Sequence, residues 1–441
     1  MTRFATYHPP ETDTGNPCRG QHVRGERLVE VPAGIGEAIA VVIVVVICVI
    51  LALPDVAHAR QDAHMDRDRL RALVTQATNQ QQREQAALDE MLSKRPAPLL
   101  YSDSLIALRQ WIGVGQRGPV FRITHNREAA ASARIDALLT GGRTGLDLSG
   151  LGQMALLIDN GHPRLTHVEL AGRVDRWDEF SVARTHATHV AGTIAASGAW
   201  REARGMAPSA LIRSHDWNND VAEMAQAALD GIRVSNHSYG DPLGWTPNIL
   251  GDGYWGWMGR PSISAVEDVR FGYYGDEAAA WDEVAHAAAH LVIVKSAGNE
   301  RERQGPPDGA PHWVFDDGWR LRTTVRIADG GADGYDSIGD AGVAKNVLTV
   351  GAVEDAPWGV SESNDVVMTD FSGWGPVDDG RIKPDLVANG TALLSAKADS
   401  DQAYGASSGT SQAAPVVTGA AILLQELWGR EFSGTLPLSS T

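Results

Sequence analysis

"MALLID", residues Met154–Asp159, decides the fold class. Five apolar residues run together, end in a carboxylate, and give way to Asn160-Gly161. An apolar run of this length, closed by turn residues, suits a strand buried on both faces. "LVIVKSAGN" at 291–299 and "NVLTVGAV" at 346–353 have the same form. Between these runs lie helical patterns such as "DVAEMAQAALDGI" at 220–232 and "DEAAAWDEVAHAAAH" at 276–290. Strand and helix alternate, which predicts an α/β fold, a parallel β-sheet flanked by helices. In such sheets functional groups collect at the carboxyl ends of the strands, where Asp159 and Asn299 stand.

"RTHATHVAGTIAASG" at 184–198 places His186 and His189 on one helical face. They are either two metal ligands, or one proton carrier beside one packed ring. The chain contains no H-E-x-x-H, and no carboxylate sits at ligand spacing within this helix, so zinc catalysis is disfavoured. His162 and His167, close after Asp159, are the further histidines a zinc reading would draw on; His215, His237, His286, His290 and His312 are expected to be structural or exposed. Near the other end, "YGASSGTSQAAPVVTGAAILLQELWG" at 404–429 runs a Gly/Ser turn into an Ala-rich helix. If that helix begins near Ser411, Pro415 falls in its first turn, where the missing N–H is harmless. Ser411 then sits among free backbone N–H groups at the positive end of the dipole. A simple N-cap would look the same. A nucleophilic serine, however, needs a base, and the base needs a group to orient it. His186 and Asp159 supply both, and Asn299 offers an amide to an oxyanion.

These motifs resemble those of the subtilisin-like serine proteases, the subtilases. "LIDNG", "HATHVAGTIA", "SAGNE" and "GTSQAAPVVTG" are similar to the family's Asp, His, oxyanion and Ser motifs, in the order Asp, His, Ser. "GMAP" at 205–208, "NHSYG" at 236–240, "KNVLTVGAV" at 345–353 and "FSGWGP…RIKPDLVANG" at 371–390 add to the likeness, which covers roughly 150–427. It implies a three-layer fold and a serine endopeptidase that works through an acyl-enzyme. Ser411 would be the nucleophile, His186 the general base and then acid, and Asp159 its orienting carboxylate. Asn299 and the Ser411 backbone N–H would form the oxyanion hole. Ser238, Tyr239 and Gly240 would pair with an extended substrate and line the primary pocket, faced by Ser296, Ala297 and Gly298. Two positions depart from the pattern: Ala187 follows the His where the family usually has Gly, and Asn160 follows the Asp. Neither removes a chemical group.

The remaining sequence sets the context. The chain has 441 residues and a net charge of −17, which argues against nucleic acid as partner. Proteins or peptides are the expected substrates, and a monomer the expected state. The two cysteines, Cys18 and Cys48, both precede residue 60, so neither a disulfide nor a cysteine-held metal is available beyond it. "AIAVVIVVVICVILAL" at 38–53, followed by Ala57-His58-Ala59, reads as a cleaved signal or, failing cleavage, a membrane anchor. Either places the remainder outside the cytoplasm. The expected division is a leader at 1–59, a helical segment and linker at 60–149 that could serve as a pro-region, and a peptidase domain at 150–441. The Gln- and Arg-rich stretch from 60 to 94 is expected to be a solvated helical stalk. No cofactor is required for this chemistry, although structural calcium is common in subtilases and "ADGGADGYDSIGD" at 328–340 could bind it. Two segments, 241–275 and 301–340, read as insertions. The aromatic cluster of the first (Trp245, Tyr254, Trp255, Trp257, Tyr273, Tyr274) either lines an extended site or forms a satellite core. The rivals to an active secreted endopeptidase are a non-catalytic binding protein on the same fold and a tethered or intracellular processing protease.

Overall fold

The computed structural model describes residues 65–93, 114–115, 118–119, 124–178, 182–315, 318–324, 335–356 and 359–432. The apolar run at 38–53, the cleavage signal after Ala59, Cys18, Cys48 and most of the Asp/Gly-rich stretch lie outside them. Among the described residues no helix is long and apolar enough to cross a membrane.

The centre is a seven-stranded sheet. Its strands are β1 (Met154–Asp159), β2 (Val174–Arg176), β3 (Leu211–Asp216), β4 (Val234–His237), β5 (Val292–Ser296), β6 (Leu348–Val353) and β7 (Leu386–Asn389). They lie in the order β7-β6-β5-β4-β1-β3-β2, every pair parallel. The chain starts in the middle at β1, goes to β2 at one edge, returns to β3 between them, then crosses to β4 and builds out to the other edge. That reversal creates a switch point at β1 and β4, where a crevice opens beyond the carboxyl ends.

Alternation along β1 divides the core. Ala155 and Leu157 face one layer, with Val190, Ala191 and Ile194 of α2 (Thr185–Ala195) and Ala413, Val416 and Leu423 of α5 (Thr410–Glu431). Leu156 and Ile158 face the other, with Met224 and Ala228 of α3 (Asp220–Leu229) and Trp281 and Val284 of α4 (Asp276–Ala287). The three-layer α/β expectation therefore holds. Small residues let α2 press closely on the strand Leu393–Ala396, since a Cβ on Gly192 would meet Ser395 Oγ at 2.4 Å.

Two expectations are corrected. The first is the solvated stalk. Helix α1 (Arg67–Ser93) buries Leu70 and Leu73 in the same cluster as α3 and α4. The backbone N–H of Asp66 donates to Ala287 O at 3.0 Å, and Arg69 pairs with Glu283 at 2.9 Å. Burying two leucines outweighs the polar composition of the rest of the stretch. The second is the domain boundary at 150. The strand Thr124–His125 pairs with Leu393-Leu394, and Ala129, Ile135, Leu139 and Leu148 lie in the core around α2 and α5. Residues 124–149 belong to the same folded unit as the sheet.

The two insertions meet. Trp245–Thr246 and Trp255–Trp257 from the first, with His312–Phe315 and Trp319–Arg322 from the second, form a four-stranded sheet. Trp245 and Trp257 pack edge to face at 5.2 Å against Val314, which is the satellite-core alternative; Tyr254 and Tyr273 remain exposed. The roots of the insertions are joined where Asp241 N donates to Asp340 Oδ2 at 2.7 Å.

Candidate active site

Asp159 ends β1 with no exposed surface. Its Oδ1 accepts from the Asn160 N–H at 2.7 Å. Both carboxylate oxygens lie near His186 Nδ1, at 2.8 and 2.9 Å. His186 is the second residue of α2, so the helix start carries its ring to the strand end. Burial pulls the His186 pKa down, but the Asp159 charge and hydrogen bond outweigh it, and the net shift is upward from 6.5. The carboxylate fixes Nδ1 as the protonated nitrogen and leaves Nε2 as an acceptor. Ala187 is fully buried in the first turn with helical backbone, so its methyl is accommodated.

His189 does something else. It is buried, and its Nε2 donates to Leu393 O at 2.9 Å, while Ser395 Oγ donates to the His189 carbonyl at 2.9 Å. Burial drives its pKa down to about 4, so it is neutral. It ties α2 to the strand Leu393–Ala396. His162 and His167 likewise bond backbone carbonyls, of Pro163 and Ala403.

Ser411 is the second residue of α5, whose first is Thr410 and whose N-cap is Gly409. Gly409 holds φ 151 and ψ 164, a region open essentially to glycine alone. A Cβ there would come 2.9 Å from Gln412 Oε1. Pro415 is the sixth residue of this helix, so it lies in the second turn rather than the first, and its missing N–H does matter. The carbonyl four residues back is that of Ser411, and it accepts instead from Ser238 Oγ at 3.0 Å. Ser411 Oγ in turn donates to the Ser238 carbonyl at 2.9 Å.

Asn299 follows β5 after Ala297 and Gly298. Its Oδ1 accepts from the Thr410 N–H at 2.9 Å and Thr410 Oγ1 at 3.1 Å. With the carbonyl end held, Nδ2 is the end free to donate elsewhere. Ser238–Gly240 and Ser296–Gly298 continue β4 and β5, which pair in register at His237 and Lys295, so the two segments leave the sheet side by side. Buried Lys295 donates to the carbonyls of Tyr239 and Ser296, linking them. The Tyr239 side chain turns to α3, where its hydroxyl donates to Asp220 at 2.8 Å, so only its backbone serves the segment. Beside Gly240 the Asp340 carboxyl is pushed up to about 6, and Glu277 to about 8, chiefly by burial.

Thr410, Lys295, Asn236 and Thr418 were given no role by the sequence reading. Thr410 adjoins Ser411 in the quoted Ser motif, which was the available signal. Asn236 and Thr418 also lie in quoted motifs, "NHSYG" and "GTSQAAPVVTG", but their contact with each other spans a long sequence gap that neither motif reveals.

Among the described residues one group of three side chains could hold a metal: Asp178, His215 and Glu223. His215 Nδ1 lies 3.0 Å from Asp178 and 3.3 Å from Glu223. Burial lowers the His215 pKa, but hydrogen bonds and charge from the two carboxylates raise it further, to about 9. A protonated imidazole between two acids accounts for the group. His215 is thus a buried, ion-paired ring.

Comparisons with known proteins give the family. A model described as "Subtilase family" matches residues 96–436. The serine protease AprX of Bacillus subtilis is 25% identical over 315 residues, 64% of this chain and 59% of its own length. The C5a peptidase of Streptococcus pyogenes is 40% identical over 70 residues, 16% of this chain and 6% of its own. This chain thus spans less than two thirds of either relative. Among solved structures, the CspB protease of Clostridium perfringens superposes with a TM-score of 0.46 at 17% identity, over 68% of this chain and 87% of that one. The self-cleaved protease domain of PatA does so with 0.41 at 20%, over 64% and 83%. Scores this low carry no argument, but the match over residues 96–436 takes in the whole site, and the chain belongs to the subtilase family.

Proposed function

We propose that the chain is a serine endopeptidase that hydrolyses peptide bonds in proteins or peptides through an acyl-enzyme. Ser411 Oγ attacks the scissile carbonyl. His186 Nε2 takes the hydroxyl proton, then returns it to the leaving amine. Asp159 holds the imidazole by Nδ1 and stabilises the imidazolium. Asn299 Nδ2 and the Ser411 N–H donate to the oxyanion at the start of α5, where the helix dipole favours negative charge. Water then attacks the acyl carbon by the same proton path. In the resting arrangement Ser411 Oγ donates to Ser238 O. The reaction therefore requires the hydroxyl to leave Ser238 O and donate to His186 Nε2.

The observation that carries this reading is the paired contact of His186 Nδ1 with both Asp159 oxygens, across 27 residues of sequence. An ordinary core histidine needs no buried carboxylate. The reading needs no metal. We keep structural calcium as a secondary proposal: Asp336 Oδ1, which has no hydrogen-bond partner, and Asp378 Oδ1 lie together beside Gly272, and carboxylate oxygens are among the ligands calcium takes.

We place the working protein outside the cytoplasm on the strength of the apolar run at 38–53 and the small residues after it. Hydrolysis of an unfolded protein, with and without Ser411→Ala, tests the activity. Loss of cleavage in the variant supports it. A wild-type chain that binds peptides without cleaving them points to the binding-protein alternative.

A further inference from the structure

Pro415 removes the helical bond that the Ser411 carbonyl would accept, and three side chains outside the proposed triad make good the loss. Thr418 Oγ1 donates to Asn236 Oδ1 at 2.8 Å. Asn236 Nδ2 donates to Ser238 Oγ at 3.0 Å. Ser238 Oγ donates to Ser411 O at 3.0 Å. Thr418 Oγ1 also lies 3.2 Å from the Ala414 carbonyl, the longer of its two contacts, and with Nδ2 on Ser238 the Asn236 amide presents Oδ1 to Thr418. Asn236 and Thr418 have no exposed surface and Ser238 has 2%. The chain of bonds leaves α5 at its third turn, passes through β4, and returns to α5 at residue 411.

We propose that Thr418, Asn236 and Ser238 are positioning residues that hold the Ser411 peptide in its reactive orientation. The inference rests on the reading of Ser411 as nucleophile. A purely structural network could end on any helix carbonyl. This one ends on the residue whose N–H and Oγ do the chemistry, and the same Ser238 also receives the Ser411 hydroxyl on its own carbonyl. Backbone and side chain of Ser411 are therefore both referenced to one residue of β4's extension. With Ser238 silent, the Ser411 carbonyl is a buried acceptor without that donor, and the turn is free to shift. A displacement of about 1 Å at a reacting group lowers turnover by roughly 10²-fold.

The test uses the full chain, a chromogenic peptide substrate, and the variants Thr418→Val, Thr418→Ser, Ser238→Ala and the double Thr418→Val/Ser238→Ala, with melting temperatures alongside. Thr418→Val keeps the shape and removes the hydroxyl. It should lower kcat about tenfold with KM within about twofold, and Thr418→Ser should restore kcat. Ser238→Ala should lower kcat by roughly 10²-fold. Adding Thr418→Val to it should change kcat no further, because the link is already cut. Wild-type kcat in Thr418→Val with a lowered melting temperature overturns the proposal, and so do effects that multiply in the double variant. If Ser238→Ala does not fold, the Thr418 pair decides alone. Ser411→Ala separates this inference from its foundation. If hydrolysis survives Ser411→Ala, the serine mechanism itself falls. If Ser411→Ala is inactive while Thr418→Val and Ser238→Ala keep full kcat, only the positioning role falls.

Discussion

His186 Nδ1 sits 2.8 and 2.9 Å from the two oxygens of Asp159, joining the start of helix α2 to the end of strand β1. The base is active only when Nε2 is unprotonated, so kcat/KM should rise with pH through the His186 pKa. That pKa is raised from 6.5 despite burial, because of Asp159. The acidic limb should therefore have its midpoint above 6.5. Asp159→Asn removes the charge, should move the midpoint down, and should lower kcat by about 10⁴-fold. A pH–rate profile of both proteins checks this; an unchanged midpoint in the variant refutes the coupling.

Asn299 is aimed by Thr410, which holds its carbonyl end. Asn299→Ala should lower kcat by roughly 10²–10³-fold and leave KM nearly unchanged, since the amide acts on charge that develops in the transition state. Thr410→Val keeps the backbone donor and loses only the hydroxyl, so it should have the smaller effect. Steady-state kinetics on one peptide substrate measure both.

Helix α1 is part of the folded unit. Leu70 is fully buried against α3 and α4. Leu70→Ala should destabilise the protein by about 2–5 kcal/mol, read as a shift in denaturation midpoint. A detached stalk would show no shift.

His215 makes stability depend on pH. Its folded pKa of about 9 exceeds its ordinary 6.5, so the stability it contributes is complete below about 6.5 and is lost as pH rises through about 9. Glu223, pushed up to about 7 mainly by burial, acts in the same direction at lower pH, because its carboxyl ionises more easily once unfolded. Denaturant titrations between pH 6.5 and 9 should show a falling stability, with a slope of up to about 1.4 kcal/mol per pH unit from the single imidazole. His215→Asn should flatten it.

The sheet was legible because β1, β5 and β6 lie in short, mainly apolar runs, and the layers follow from that pattern. Asp159, His186, Asn299 and Ser411 stood in motifs whose residue types state their chemistry. What lay beyond the sequence has physical reasons. Leu70 and Leu73 are two apolar residues in a stretch otherwise Arg- and Gln-rich, so their burial does not change the composition. The strands of the insertion sheet are two to four residues long, too short for period-two alternation to show. Pro415 is the sixth residue of the helix of Ser411, past the first turn, so its missing N–H leaves the Ser411 carbonyl with a need that Ser238 meets. The bond between Thr418 and Asn236 spans 182 positions and exists only once the sheet is assembled.

The central claim is that Ser411 is the nucleophile, activated by His186. A fluorophosphonate probe added to the wild-type chain, followed by proteolysis and mass spectrometry, tests it most directly. The account predicts a single adduct on Ser411, absent in Ser411→Ala and formed far more slowly in His186→Ala. An adduct on another residue, or labelling at the wild-type rate in His186→Ala, would contradict it.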